Sequence, residues 1–99
     1  MIVVTGTFRF PADVHDRVTA EMSKVEAATH DEVGCLVYTF YADRDDPDRF
    51  RVYEEWASWG ALEAHGATPH ISAFREALEE IGVLEREVKA MEVGEIRRL

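Results

Sequence analysis

Only one cysteine, Cys35, occurs in the 99 residues, so no disulfide can close within the chain. Paired-cysteine redox and zinc motifs are excluded with it. A lone cysteine in apolar sequence reads as a small buried side chain rather than a reactive thiol. Basic residues are scarce too: 11 Lys and Arg stand against 20 Asp and Glu, for a net charge of -9. Such a chain repels phosphate backbones, and no basic cluster offsets the repulsion, so nucleic acid is not an expected partner. No apolar run approaches the roughly 18–20 residues that cross a bilayer, and no basic-then-apolar start marks a secretion signal. The expected setting is cytoplasmic, without a membrane partner. The six glycines form neither a phosphate loop nor a dinucleotide fingerprint. Internal repeats, linkers and low-complexity tracts are absent as well.

What remains is ordinary globular material, 46% apolar and 31% charged. Residues 1–99 read as a single domain. A domain this small buries a limited fraction of its surface and gains from covering more of it against a second copy.

Met1–Phe10 is rich in β-branched and aromatic residues and predicts a strand, with Ile2, Val4, Gly6, Phe8 and Phe10 on one face. Its other face, Val3, Thr5 and Thr7, is not strongly polar, so both sides of the sheet call for a cover. Pro11 ends the strand, and Asp13 is the expected N-cap of a helix. Val14, Val18, Met22, Val25 and Ala28 give that helix one apolar stripe, with His15 and His30 expected in solvent. Glu32-Val33-Gly34 closes it. A second strand is expected over Cys35–Ala42. The turn-forming Asp43–Asp48 then leads into a third over Arg49–Trp56, making an antiparallel hairpin. Alternation puts Phe50, Val52, Glu54 and Trp56 on one face, at the edge of the core, where burial would raise the Glu54 pKa. Ser58 caps a short helix ending near His65-Gly66. Thr68, with Pro69 behind it, caps a second helix whose stripe is Ile71, Phe74, Leu78 and Ile81 and which ends at Gly82. Leu84–Leu99 predicts a last strand. The order β-α-β-β-α-β is the ferredoxin-like arrangement of the α+β class, an antiparallel sheet with helices on one face.

The stretch Phe50–Phe74 thus gathers Glu54, Trp56, His65 and His70, residue types on which acid–base chemistry near neutrality draws. Two readings stand side by side. In one, the imidazoles flank the mouth of a cavity floored by Glu54, Tyr38, Trp56 and Phe74. In the other, His70 helps cap a helix bend, His65 packs its ring, and the aromatics, Phe8 and Phe40 among them, are core. A metal would need three convergent ligands. His65, His70 and Glu54 could supply them, but their spacing matches no established motif, so no metal is expected.

The runs Glu54-Glu55-Trp56, Ser58-Trp59-Gly60-Ala61-Leu62-Glu63-Ala64-His65 and Thr68-Pro69-His70-Ile71-Ser72-Ala73-Phe74, with Gly34-Cys35-Leu36-Val37-Tyr38 upstream, resemble the antibiotic biosynthesis monooxygenase family. The resemblance spans nearly the whole chain in order. It implies a dimeric α+β barrel, a homodimer in which two sheets pack face to face and leave one pocket per subunit. It also implies a cofactor-independent monooxygenase that oxidises a small phenolic or quinol-type aromatic with O2, because an electron-rich phenolate can itself reduce O2. His65 would be the base, oriented by Glu54 or His70, with Tyr38, Trp56, Phe74 and Phe8 binding the ring. The alternatives are an isomerase-type enzyme on a small polar metabolite and a non-catalytic ligand-binding dimer. Haem-degrading relatives use an Asn, a Trp and a His where this chain has Gly6, His65 and Arg75, so haem is not expected, nor any other cofactor.

Overall fold

Every second residue of Ile2–Arg9 is buried in the computed structural model, which describes residues 1–99, and this strand, β1, lies inside the sheet. Ile2, Val4 and Phe8 are sealed with Gly6 between them, while Val3, Thr5 and Thr7 are half-buried on the opposite face. The remaining elements are α1 (His15–His30), β2 (Cys35–Ala42), β3 (Arg49–Trp56), α2 (Trp59–Gly66), α3 (Pro69–Ile81) and β4 (Glu85–Glu92). β3 and β4 flank β1, both antiparallel to it, and β2 pairs antiparallel with β3, giving the order β2-β3-β1-β4. This is the ferredoxin-like α+β fold, with α2 inserted in the second crossover.

The helices meet the sheet on one side. Val18, Met22 and Val25 of α1 and Ile71, Phe74, Leu78 and Ile81 of α3 close over Phe8, Phe10, Phe50, Val52 and Trp56. The shortest dimension of the molecule is 19 Å, the depth of one sheet and one helix layer at about 10 Å spacing. No second layer covers the reverse face, which keeps Val3, Thr5, Thr7 and Tyr53 half-buried and Tyr41 and Met91 exposed. None of the helices is long and apolar enough to cross a membrane.

Capping follows the sequence at two helices. The Ser58 hydroxyl accepts from the Ala61 N–H at 3.1 Å, and the Thr68 hydroxyl accepts from the Ile71 N–H at 3.3 Å. With Pro69 at the first position of α3, no N–H is wasted there. The first helix departs from expectation. Asp13 adopts a left-handed φ of 70° and caps nothing; α1 begins after Val14, without a side-chain cap bond. His15 takes over the anchoring. Its Nδ1–H donates to the Pro47 carbonyl at 2.7 Å, and its ring stacks on Phe50 at 5.3 Å. His30 is exposed as expected, and its Nε2–H donates to the Tyr38 carbonyl at 2.8 Å. The buried stripe of α1 ends on Thr29, with Ala28 only half-buried beside it.

The last strand is shorter than predicted. It stops at Glu92 because that residue pairs with Ile2, where β1 begins, and residues 93–99 form neither helix nor strand. Within the β1–β4 pair Gly6 has no room for a side chain. A Cβ there would stand 2.1 Å from the Glu87 carbonyl oxygen and 2.5 Å from the Val88 Cα. Both obstacles are main chain and cannot rotate away. Gly6→Ala should therefore push β4 off the sheet and lower stability by about 1–3 kcal/mol, the range of overpacked cores. Urea unfolding indistinguishable from the unsubstituted chain would contradict the close approach.

Candidate functional site

The alternation of β3 delivers Glu54 and Trp56 to the helix side, and the pairing of β2 delivers Tyr38 opposite Glu54. Between Cys35 and Val37 the register slips by one residue. This bulge leaves Leu36 exposed and brings Tyr38 onto the inward face. The Tyr38 ring lies 5.2 Å from the His65 ring of α2, and the Trp56 ring lies 4.8 Å from it. The His70 ring, 6.2 Å away, closes a third side.

The fourth contact decides its chemistry. Glu32 sits in the turn after α1, and its Oε2 lies 2.7 Å from Nδ1 of His65 and 2.7 Å from Nε2 of His70, in the first turn of α3. A carboxylate oxygen only accepts, so both facing ring nitrogens carry protons. Nε2 of His65 is then the lone-pair nitrogen. It forms no hydrogen bond within the chain, yet it is not among the sealed polar atoms. Gly34 makes this turn possible: it holds a left-handed φ of 85°, and a Cβ there would lie 2.6 Å from that of Ala61 in α2.

His65 lines a cavity of about 420 Å3 between sheet and helices. Phe8, Phe40 and Phe74 supply apolar walls, Tyr38 and Glu54 add polar groups, and Arg75 of α3 and Arg86 of β4 also face it. Burial pushes the Tyr38 phenol well above its ordinary range, aided by Glu54 and Glu32, so it is a donor here. Burial also raises the Glu54 carboxyl from 4.5 to about 7, opposed by the Trp56 indole N–H, which donates to its Oε1 at 2.8 Å. His65 moves the other way. Desolvation lowers its pKa, and the Glu32 carboxylate offsets part of the effect. The site therefore holds, near neutrality, an imidazole kept basic and neutral beside a carboxyl poised to gain or lose its proton.

Two expected lining residues are placed otherwise. Trp56 is fully buried and stands behind the cavity wall, supporting Glu54 and His65 rather than facing the space. His70 does not line the cavity either; it reaches Glu32 from the groove between α1 and α3. Tyr38, Phe74, Phe8, Glu54 and His65 do line it. The residue expected to orient His65 was Glu54 or His70, whereas the contact is made by Glu32. The sequence signal was modest: an acidic residue two before the glycine of a helix-to-strand turn. The third member of a possible metal-binding group changes likewise. Glu32, His65 and His70 present one ligand atom each within 4.8 Å of one another, and Glu54 is not among them. The 2.7 Å contacts inside that group are hydrogen-bond lengths, each spanned by an imidazole proton. Cys35 is half-buried rather than sealed, and burial, with Glu32 and Glu54 nearby, raises its pKa and keeps it a thiol.

The family model described as antibiotic biosynthesis monooxygenase matches residues 1–77. The Escherichia coli protein named probable quinol monooxygenase YgiN is 30% identical over 95% of this chain and 99% of its own. A Synechocystis protein, sll1783, is 28% identical over 99% of this chain and 67% of its own. The crystal structure of a Deinococcus radiodurans protein assigned as an antibiotic biosynthesis monooxygenase superposes with a TM-score of 0.94. That protein is 28% identical, with 100% of this chain and 98% of that one covered.

The Glu54 shift has a measurable consequence. Its pKa is higher in the folded chain, so its contribution to stability is present in full below about 4.5 and is lost as pH rises through about 7. At about 1.4 kcal/mol per tenfold change in proton affinity, that displacement amounts to on the order of 3 kcal/mol. Glu54→Gln keeps an acceptor for the Trp56 N–H without the titrating charge. The variant should gain stability relative to the parent between about pH 5 and about pH 8. A stability difference that stays flat over this range would show that Glu54 is not held neutral by burial.

Proposed function

The chain belongs to the antibiotic biosynthesis monooxygenase family, and from that premise we propose that it is a monooxygenase acting on a phenolic or quinol-type aromatic with O2. One observation carries the proposal: the Glu32-bound tautomer of His65 leaves Nε2 unprotonated on a ring that lines an aromatic-walled cavity. In this reading Nε2 removes the hydroxyl proton of the substrate, and Glu32 stabilises the imidazolium that forms. The resulting phenolate is electron-rich enough to pass one electron to O2. Recombination of the two radicals at a ring CH carbon gives a peroxide anion, which takes back the proton held by His65 and becomes a hydroperoxide. Loss of water from it, with that hydrogen and the O–O bond broken, leaves one oxygen atom as a carbonyl. Tyr38 donates to the developing oxygen, Glu54 can carry the proton of the departing water, and the aromatic walls hold the ring and exclude bulk water. The Escherichia coli relative's name supports the quinol class.

The uncovered sheet face supports a homodimer. Half-buried Val3, Thr5 and Tyr53 with exposed Met91 and Tyr41 make a surface that a second copy would cover. Sedimentation at micromolar concentration should give twice the 11.3 kDa chain mass, and a monomer would refute the dimer.

A second reading has its own support. Glu54 and His65 are two proton carriers on one cavity wall, which also suits an isomerase-type proton transfer that consumes no oxygen. Oxygen uptake with a panel of reduced quinols separates the two, and a purely ligand-binding dimer would turn over neither kind of substrate.

His65 is 6% exposed, so truncation to Ala would leave a void, and His65→Gln is the cleaner probe. It should lower kcat by a factor on the order of 10² or more while the chain stays folded. Because His65 is held below its ordinary pKa, the acid limb of kcat/KM should fall below about 6.5 in the parent. Glu32→Gln, which keeps an acceptor but no charge, should lower kcat and move that limb further down. Unchanged kcat and pH profile in both variants would remove His65 from the chemistry.

A further inference from the structure

The chain carries 20 acidic residues against 11 Lys and Arg, yet two of its arginines, Arg75 and Arg86, face the one cavity built around His65. Neither belongs to an ion pair; those of the chain engage Arg9, Arg17, Lys24, Arg97 and the two histidines on Glu32. Arg75 makes only a long 3.4 Å contact to the Gly66 carbonyl. Arg86 sits opposite Phe8 in the β1–β4 pair and lays its guanidinium 5.8 Å from the centre of that ring. The same two side chains also line a shallow hollow on the outer surface between α3 and β4, with Glu79 the acidic group on its rim. They therefore stand where the cavity opens to solvent, on opposite sides of the opening. In a chain this acidic, two guanidiniums without an ion-pair partner at one mouth form a local reversal of sign, the buried Glu54 attracting Arg86 only at longer range.

Resting on the oxygenase reading of the site, we propose that the substrate is an anionic aromatic, a phenol bearing a carboxylate that Arg75 and Arg86 bind at the mouth while its hydroxyl reaches His65. A guanidinium presents paired N–H donors that match a carboxylate bidentately. The apolar walls take the ring, and the volume of about 420 Å3 lies at the small end of ligand pockets, which suits a compact aromatic acid. The surrounding negative charge then acts as a filter: anions are repelled from the surface at large and are accepted only where the two arginines face outward. A neutral quinol would still fit between the walls but would leave both guanidiniums unpaired.

Binding measured without turnover tests this separately from the oxygenase reading. Isothermal titration under nitrogen would compare a hydroxynaphthoate, with hydroxyl and carboxylate at opposite ends, against the matching hydroxynaphthamide. The acid should bind about tenfold tighter or more, as expected for charge-assisted hydrogen bonds at a partly wet site. Arg75→Gln and Arg86→Gln should each shrink that preference, and the double variant should abolish it while amide binding is retained. Equal affinity for acid and amide, or a preference that survives in the double variant, would overturn the proposal. If the double variant fails to fold, salt titration of the parent decides: a preference carried by guanidiniums shrinks with ionic strength, and a constant one refutes them. Oxygen uptake with neutral quinols alongside equal acid and amide affinities would sink this inference and leave the oxygenase reading standing. Acid preference without oxygen uptake would do the reverse.

Discussion

A single carboxylate oxygen, Oε2 of Glu32, accepts from imidazoles on two different helices. That sharing ties the α1–β2 turn to α2 and α3 at once, across sequence separations of 33 and 38 residues. Removing the carboxylate would strand two ring N–H groups in a half-buried setting, at about 1–3 kcal/mol for each unsatisfied donor. The same contact sets which nitrogen of His65 carries its proton, so fold and candidate chemistry depend on one interaction. Tyr38 and Trp56 support it sterically by packing on the imidazole from the sheet side.

Glu54 answers to a different constraint. It occupies an inward position of β3, where alternation calls for an apolar residue, and it is 7% exposed. One indole N–H is the hydrogen bond it receives, while Glu32 nearby disfavours a second negative charge. Burial outweighs both the indole and the attraction of Arg86, so the carboxyl holds its proton up to about 7. A purely structural wall would place Leu or Val here at no electrostatic cost. A carboxyl kept at this position is what a proton-handling cavity requires.

The strands, the sealed face of β1, the caps at Ser58 and Thr68 and the stripe of α3 were legible because each depends on local periodicity or on one residue type at one place. The same logic failed at Asp13. A capping residue type is necessary but not sufficient, and the chain there turns through a left-handed conformation while His15 finds a carbonyl on the Asp43–Asp48 turn. The site was legible as a set of residues but not as a geometry. His65, Glu54, Tyr38, Phe74 and Phe8 meet at the cavity as their faces implied. Glu32 was hidden because its partners lie far along the chain and its local context reads as a helix end. Trp56 was misplaced by one layer: alternation points it inward but does not say whether inward means facing a cavity or standing behind its wall. Arg75 and Arg86 carry no periodic signal, since a charged residue on an exposed helix or edge strand needs no explanation until the space it faces is known.

Strand alternation also keeps two surfaces of this small sheet independent. Along β4, Arg86 and Val88 fall on the cavity side and lie opposite Phe8 and Gly6. Glu87 and Lys89, one residue away, lie opposite Thr7 and Thr5 on the reverse side. A second copy laid on the reverse face would therefore cover Val3, Thr5 and Met91 without touching the side chains that frame the mouth. Gly6 serves both surfaces, because it leaves space for the β4 backbone beside the pair in which Arg86 lies over Phe8. A larger residue at position 6 would loosen the reverse face and displace Arg86 from the mouth together. Glycine at this one position is thus the point at which the packing of the sheet and the electrostatics of the cavity are coupled.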